Sequence, residues 1–192
     1  MTNRISWIAL HFVPLIAVPL ITHALIPLGI NTAAAVALLA IIGCIAFGQS
    51  RLIRKQRVTR ARWMWQTACA LGLAVAAGLV TMSTVDLAGY DVLATFSGMS
   101  AAGLVFGIVQ APMLEKGKLQ WTFASIAGWL IGALAFRSVI TSLVAMSIGD
   151  FTPYALAYNA GHNELLWTAT GLAVYGFVTQ LKLDERHVSA GR

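Results

Sequence analysis

The sequence predicts an all-α polytopic membrane protein with six transmembrane helices, arranged as three repeated helical hairpins. Three observations lead to this fold class. Of the 192 residues, 58% are hydrophobic and 10% are charged, whereas a soluble domain carries about 25% charged residues. The apolar residues form long runs that are separated by short polar segments. These segments alternate along the chain between ones that carry Lys and Arg and ones that carry none, as the positive-inside rule requires of successive loops.

The chain length accommodates six spans of about 20 residues each and no sizeable soluble domain. A single transmembrane domain is therefore expected over residues 1–192. The predicted spans cover 5–27, 32–50, 63–84 and 92–114, a fifth that starts at Trp121, and a sixth over about 164–181. They pair into hairpins at about 5–50, 63–114 and 121–181.

The first apolar run, from Ile5 to Ile30, follows a short N-terminal segment that carries Arg4. It is too long for the apolar region of a signal peptide and lacks a small-x-small cleavage site. It is therefore expected to remain in the protein as the first span.

The basic residues indicate the topology. Segment 51–62 holds six Lys or Arg and no acid, and twelve of the thirteen Lys and Arg residues can be placed on one side of a membrane. Segments 28–31, 85–91 and 149–163 lie on the other side and contain no Lys or Arg, and the last two of them hold Asp86, Asp91 and Asp150. Both termini are therefore expected in the cytoplasm of a bacterium, with the protein in the inner membrane.

Because topology accounts for the positive charge, the sequence argues against nucleic acid as a partner. Segment 51–62 is also a candidate for binding anionic lipid, since each basic residue near the surface contributes about 1 kcal/mol to such binding.

Arg137 is the one cation outside this pattern, sixteen residues after Trp121. One interpretation ends the fifth span near Phe136 and lets Arg137 reach outward to water. The other pairs it with an outer acid, for which Glu164 at the start of span six is preferred. The conformation of 138–163 is left open, and its first half can extend the fifth helix.

Small residues recur every four positions along three predicted spans, a spacing that lets membrane helices approach closely. In spans three and five this pattern follows an interfacial tryptophan, Trp65 or Trp121. The glycines predicted to pack against neighbouring helices are Gly72, Gly103, Gly107, Gly128 and Gly132.

A glutamine lies near the inner end of each returning span: Gln49, Gln110 and Gln180. If the hairpins surround a common axis, the three amides converge and can bind a polar headgroup or line a vestibule. The alternative is ordinary hydrogen bonding between helices, or exposure at the interface.

Part of the chain resembles a group of bacterial multi-pass membrane proteins of unknown function. These repeat G-x-x-x-G-x-x-Q, a short basic loop, and W-x-x-x-[AS]-x-x-G-W-x-x-G. Residues 103–110 (GLVFGIVQ) and 121–132 (WTFASIAGWLIG) match that pattern, 171–176 resemble the closing repeat, and 43–76 resemble a degraded copy. The resemblance covers about half the chain and implies a helical membrane fold without an established activity.

The histidines are weak candidates for a cofactor site. His11 and His23 lie twelve residues apart in span one, about 18 Å along a helix, so they cannot share one metal ion. His23 and His162 could meet at the outer face as axial ligands. The simpler interpretation is a histidine that hydrogen-bonds across helices. Cys44 and Cys69 are expected to be small buried side chains.

The chain has no P-loop, G-x-S-x-G, H-E-x-x-H or C-x-x-C motif. The leading prediction is a non-catalytic accessory or scaffold protein, without a cofactor, that packs against other membrane proteins or lipids. One alternative is a small-solute transporter or channel, since repeats and a proline-broken first span are typical of transporters. The second is a cofactor-binding subunit of a redox complex.

Overall fold

The structure is a computed structural model that describes residues 4–52, 58–86, 91–114, 117–146, 168 and 171–179. Within these ranges every regular element is a helix, which confirms the all-α class. The helices are α1 (Arg4–Leu25), α2 (Ile30–Leu52), α3 (Arg60–Asp86), α4 (Asp91–Gln110), α5 (Lys118–Met146) and the helical segment 171–179, here α6. Short 3-10 turns, Ile26–Leu28 and Ala111–Met113, follow α1 and α4.

Three of the described helices are long and apolar enough to cross a membrane. They are Asn31–Leu52, Arg60–Val85 and Leu93–Met113. A shorter apolar stretch, Ile5–Val18, lies in α1. The hydrophobic character predicted from composition is therefore carried by helices of spanning length.

Glycines with positive φ begin two of the helices. Gly29 (φ 100°) separates the Ile26–Leu28 turn from α2, and its carbonyl accepts the first helical bond from Ala33. Gly117 (φ 68°) does the same ahead of α5, where its carbonyl accepts from the backbone N–H of Trp121. Glycine is suited to both positions because it enters the left-handed region without a Cβ clash.

Helix α5 continues through Arg137 as far as Met146. The end of the fifth span near Phe136 stays a prediction, and the first half of 138–163 extends helix α5 as far as Met146. At 1.5 Å per residue its 29 residues span about 43 Å, more than the roughly 30 Å hydrocarbon core of a bilayer. The Arg137 side chain lies outside the described residues.

Successive helices from α1 to α5 pack against one another in chain order. Helix α6 lies against two helices that are far apart in sequence. A Cβ built on Gly128 of α5 would lie 2.5 Å from the Tyr175 Cα, and the Trp7 indole of α1 donates a hydrogen bond to Thr179. The last described helix thereby closes the bundle onto the first.

The outer surface of the bundle is apolar. Leu39, Trp65, Leu119 and Phe123 each expose more than 60% of their surface. The interior is also largely apolar, and it additionally holds buried polar side chains such as His11, Gln49 and Gln110. Cys44 and Cys69 are free thiols on this outer surface, so the expectation that they are buried is wrong.

Candidate functional site

Polar side chains converge at one end of the bundle, which we call the basic end. Here α1, α3 and α5 begin and α2 and α4 end, because hydrogen bonds join residues close to those termini. The exposed cations described at this end are Arg51, Arg60, Arg62 and Lys118. Just inside it lies a fully or almost fully buried polar network made of Trp7, His11, Gln49, Thr67, Gln110, Trp121, Tyr175 and Thr179.

His11 is held at both ring nitrogens. Its Nδ1 lies 2.7 Å from the backbone oxygen of Trp7, one helical turn earlier. Because a carbonyl only accepts, Nδ1 carries the proton, and the free lone pair is on Nε2. The Nε2 atom accepts a bond from the Gln49 amide at 2.9 Å. This bond between α1 and α2 confirms the interpretation of a histidine satisfied across helices.

Gln49 and Gln110 bond directly to each other. The Nε2 of Gln110 donates to the Oε1 of Gln49 at 3.0 Å and to the Thr67 hydroxyl oxygen at 3.1 Å. Thr67 in turn donates to the Oε1 of Gln49 over 3.5 Å. Helices α2, α3 and α4 are thus joined at one depth, and two of the three predicted amides converge.

The carbonyl oxygen of Gln110 is the second hub of the network. It accepts from the Trp121 indole at 3.2 Å and from the Tyr175 hydroxyl at 2.7 Å. An indole N–H can only donate, so Trp121 determines which end of the Gln110 amide is oxygen. That choice makes Gln110 the donor to Gln49, and Gln49 the donor to His11. This series of hydrogen bonds has the Trp121 indole at one end and the Trp7 carbonyl at the other. Both ends require the same neutral tautomer of His11.

Aromatic rings enclose the network on the inner side of the bundle. The Tyr175 ring lies edge to face with Phe106 (4.9 Å between centroids) and with Trp121 (5.9 Å), and it lies 5.5 Å from the His11 ring. All of these side chains are fully buried. Hydrogen bonds gain strength in such a low-dielectric environment, and an unpaired polar group there is costly.

A hydrogen bond from a tryptophan to a returning helix occurs twice with the same spacing. Trp121 donates to Gln110, which lies three residues after Gly107. Trp7 donates to Thr179 at 3.2 Å, which lies three residues after Gly176. Thr179 thus occupies in α6 the position that Gln110 occupies in α4. The predicted third amide, Gln180, is the next residue and lies outside the described part of the chain.

The second hairpin begins its buried face at Trp63, not at Trp65. Trp63 is fully buried and Trp65 is 67% exposed. A buried polar residue follows four positions after Trp63, Thr67, just as Ser125 follows Trp121. Two residues correspond to about 200° around a helix, so the pattern read from Trp65 describes the outer face of α3. It was misleading because both tryptophans precede small residues at four-residue spacing.

Two buried indole N–H groups, those of Trp63 and Trp129, have no hydrogen-bond partner among the described residues. By analogy with Trp121 and Gln110, the expected acceptor for Trp63 is Gln49, the glutamine near the end of the preceding returning helix. The side-chain oxygen of Gln49 already accepts hydrogen bonds from Gln110 and Thr67. The second hairpin therefore departs from the pattern because Gln49 turns toward the centre of the network.

The predicted packing glycines divide into two groups. A Cβ on Gly103 would lie 2.8 Å from the Ile126 Cα, one on Gly107 2.7 Å from the Thr122 Cα, and Gly128 meets α6 as described above. Gly132 is buried. At Gly72 no described atom lies within 4 Å of a built Cβ, consistent with its place on the outer face of α3.

The remaining predicted site residues lie outside the described side chains. They are His23, His162, Arg137, Glu164 and Gln180. Among the described residues no group of three or more His, Cys, Asp or Glu could hold a metal ion. A ligand pair of His23 and His162 stays a prediction, as does an ion pair of Arg137 with Glu164.

The described residues also line a small cavity of about 20 Å³ between α3, α4 and α5. Its walls are mostly apolar and include Met82, Met99 and Trp129. A space of this size holds about one water molecule.

Comparison of the chain with protein-family models, with curated proteins and with solved structures found no match.

Proposed function

We propose that the chain is a six-span integral membrane protein with a non-catalytic role, an accessory or scaffold component that packs against other membrane proteins or lipids. One observation carries this proposal. The bundle places many large apolar side chains outward and buries His11, Gln49 and Gln110 inside. Such a distribution suits a hydrocarbon environment, in which polar groups must find partners within the protein.

The placement of charge supports six spans in a bacterial inner membrane with both termini in the cytoplasm. The exposed cations of the basic end lie together, whereas α3 ends at Asp86 and α4 begins at Asp91 at the opposite end. The positive-inside rule assigns the basic end to the cytoplasm. Exposed Arg51, Arg60 and Arg62 belong to segment 51–62 and suit it to anionic lipid headgroups.

The recurring contacts support three related hairpins around a common axis. Trp7, Trp63 and Trp121 are all fully buried, and each is followed four residues later by a buried polar residue. The contacts of the returning helices recur as well. Gly107 packs against Ser125, which lies four residues after Trp121. Gly176 packs against His11, which lies four residues after Trp7. A hairpin repeat predicts both contacts.

A packing role accounts for the network better than transport or redox chemistry does. The donors and acceptors of His11, Gln49 and Gln110 are used on each other. The cavity in the described part of the chain has mostly apolar walls. A solute pathway needs polar groups that are free to exchange partners with the solute. A redox subunit would be recognised by the absorbance spectrum of its cofactor in the purified protein.

Site-specific photo-crosslinking in intact cells tests the proposal. A diazirine-bearing aliphatic amino acid replaces one exposed leucine on each of four helices: Leu39, Leu73, Leu104 and Leu134. Leu71, which is fully buried on the same helix as Leu73, is the matched control. At least one exposed position should give a discrete adduct with another protein or with one lipid class, and Leu71 should give neither. Unselective lipid adducts at all four positions would contradict an accessory or scaffold role.

A further inference from the structure

The junction between α1 and α6 differs from the other helix junctions because its two helices lie at opposite ends of the chain. We call it the seam. Two contacts define it: the bond from the Trp7 indole to Thr179, and the packing of Gly176 directly on the His11 side chain. No short loop joins the two helices, so the seam depends on contacts between residues that are distant in sequence.

We propose that His11 is a proton-operated latch for this seam, closed when its imidazole is neutral and released when the imidazole is protonated. In the closed state His11 Nε2 must accept a hydrogen bond from the Gln49 amide N–H, over 2.9 Å between the two nitrogens. Protonation would place an N–H on that nitrogen and set two donors against each other. The other ring nitrogen offers no relief, because it already donates to the Trp7 carbonyl.

Reorienting the amides does not remove the conflict. If Gln49 turned its oxygen toward His11, its NH₂ group would face the NH₂ group of Gln110, which lies 3.0 Å from the present Gln49 oxygen. If Gln110 turned as well, its NH₂ group would face the Trp121 indole, which can only donate. Each reorientation therefore shifts the pair of facing donors to the next hydrogen bond of the network and does not remove it.

No described contact of His11 supplies a counter-charge. The imidazole is met by Trp7 from its own helix, by Gln49 from α2, and by Tyr175 and Gly176 from α6. Beyond Gln49 the network continues to Thr67 on α3 and Gln110 on α4. Tyr175 is the other titratable group against the ring and is not a carboxylate. A buried cation without a partner is strongly unfavourable.

The conflict lies between His11 and Gln49, and the imidazole relieves it by leaving its place between Gln49 and Gly176. A Cβ built on Gly176 would overlap the Cβ, Cγ and Nδ1 atoms of His11, so the imidazole packs directly against the α6 backbone and its departure removes that contact. Withdrawal of His11 would also strain the Trp7–Thr179 bond one turn away. The seam therefore opens at the basic end, and α1 and α6 separate there. Because the closed state requires His11 to be neutral, the stability of the closed state falls as the pH falls.

Distance measurement across the seam tests this proposal in the full chain in lipid nanodiscs. Spin labels are attached at Phe12→Cys on α1 and Phe177→Cys on α6, both exposed positions, in a Cys44→Ala, Cys69→Ala background. Between about pH 7.5 and pH 4 the seam distance should lengthen. The ratio of open to closed protein should rise by up to about tenfold per pH unit. A seam distance that does not change with pH would overturn the proposal.

Two controls separate the latch from general acid unfolding. A label pair at Trp65→Cys and Ile108→Cys spans α3 and α4 at the same end and should not move with pH; equal movement there would overturn the proposal. His11→Gln keeps an acceptor for Gln49 but takes up no proton. The seam in this variant should stay closed in acid, and an unchanged acid response would likewise refute the role of His11.

Nitrogen NMR of the protein that retains His11, labelled with ¹⁵N-histidine, gives an independent measurement. It serves also if the His11→Gln variant fails to fold. At neutral pH His11 should be the Nδ1–H tautomer, and its protonation should follow the same pH midpoint as the seam distance. An Nε2–H tautomer at neutral pH, or protonation without seam movement, contradicts the proposal.

Discussion

Gly176 of α6 packs directly against the side chain of His11 in α1, so the last described helix of the chain closes onto the first. A side chain at position 176 would occupy the space of the imidazole. The same helix reaches the centre of the bundle through Tyr175, whose hydroxyl donates to Gln110. The packing of α6 onto α1 and the buried hydrogen-bond network therefore depend on two neighbouring residues of one helix.

We expect Gly176→Ala to destabilise the protein, because even one methyl group would overlap His11. Overpacking of this kind costs about 1–3 kcal/mol, and it would lower the midpoint of thermal unfolding in detergent. Gly72→Ala is the matched control, since no described atom lies within 4 Å of its built Cβ. In a helix interior that change should stabilise by about 0.5–1 kcal/mol. Equal effects of the two variants would contradict the close packing at Gly176.

The Gln110 amide should be the most sensitive polar side chain of the network. Gln110→Leu removes the acceptor of both Trp121 and Tyr175 and the donor to Gln49. Each buried group left without a partner costs about 1–3 kcal/mol. Denaturant or thermal unfolding should show a large loss, whereas Gln120→Leu at an exposed position should show little. A mild effect of Gln110→Leu would mean that water enters the network.

Two tryptophan variants distinguish a bonded indole from an unbonded one. Trp121→Phe loses the bond to Gln110, while Trp63→Phe removes an indole N–H with no partner among the described residues. Both side chains are fully buried, so the loss of volume is comparable. The free energy of unfolding should therefore fall more for Trp121→Phe, by about 1 kcal/mol or more. The reverse order would show that Trp63 has an acceptor.

The proposed topology is open to cysteine labelling in intact cells. In a background without Cys44 and Cys69, an impermeant thiol reagent should label a cysteine at Ala88 and not one at Ser189. The reason is that 85–91 contains acids and no cation, whereas the C-terminal tail is basic. Labelling at Ser189 and not at Ala88 would reverse the proposed orientation and overturn the inside location of the termini.

Much of the fold is predictable from the sequence because it depends on local properties. Long apolar runs predict helices, since a backbone in hydrocarbon must satisfy its own hydrogen bonds. The small-residue spacing around Gly103, Gly107 and Gly128 predicts the faces at which helices approach closely, and these three glycines lie at such contacts. The spacing fails for Gly72, because a small-residue pattern does not say which side of a helix faces a neighbour.

The site could be predicted only in part. Glutamines at the same end of returning helices suggested converging amides, and Gln49 and Gln110 do meet. Nothing in the spacing of His11, Thr67 and Tyr175 indicated that they join the same network. Their contacts link positions 38 to 65 residues apart, and they depend on how the hairpins are rotated about their own axes.

The sequence by itself therefore determined which segments are helical, which ends of them are basic and where backbones can approach closely. These properties follow from composition and from the 3.6-residue period of one helix. Only the tertiary structure decided that Trp63 is buried in place of Trp65, that Thr179 takes the place expected for a third glutamine, and that His11 is held as a neutral acceptor. Those outcomes require the relative rotation and depth of several helices, which no single segment contains.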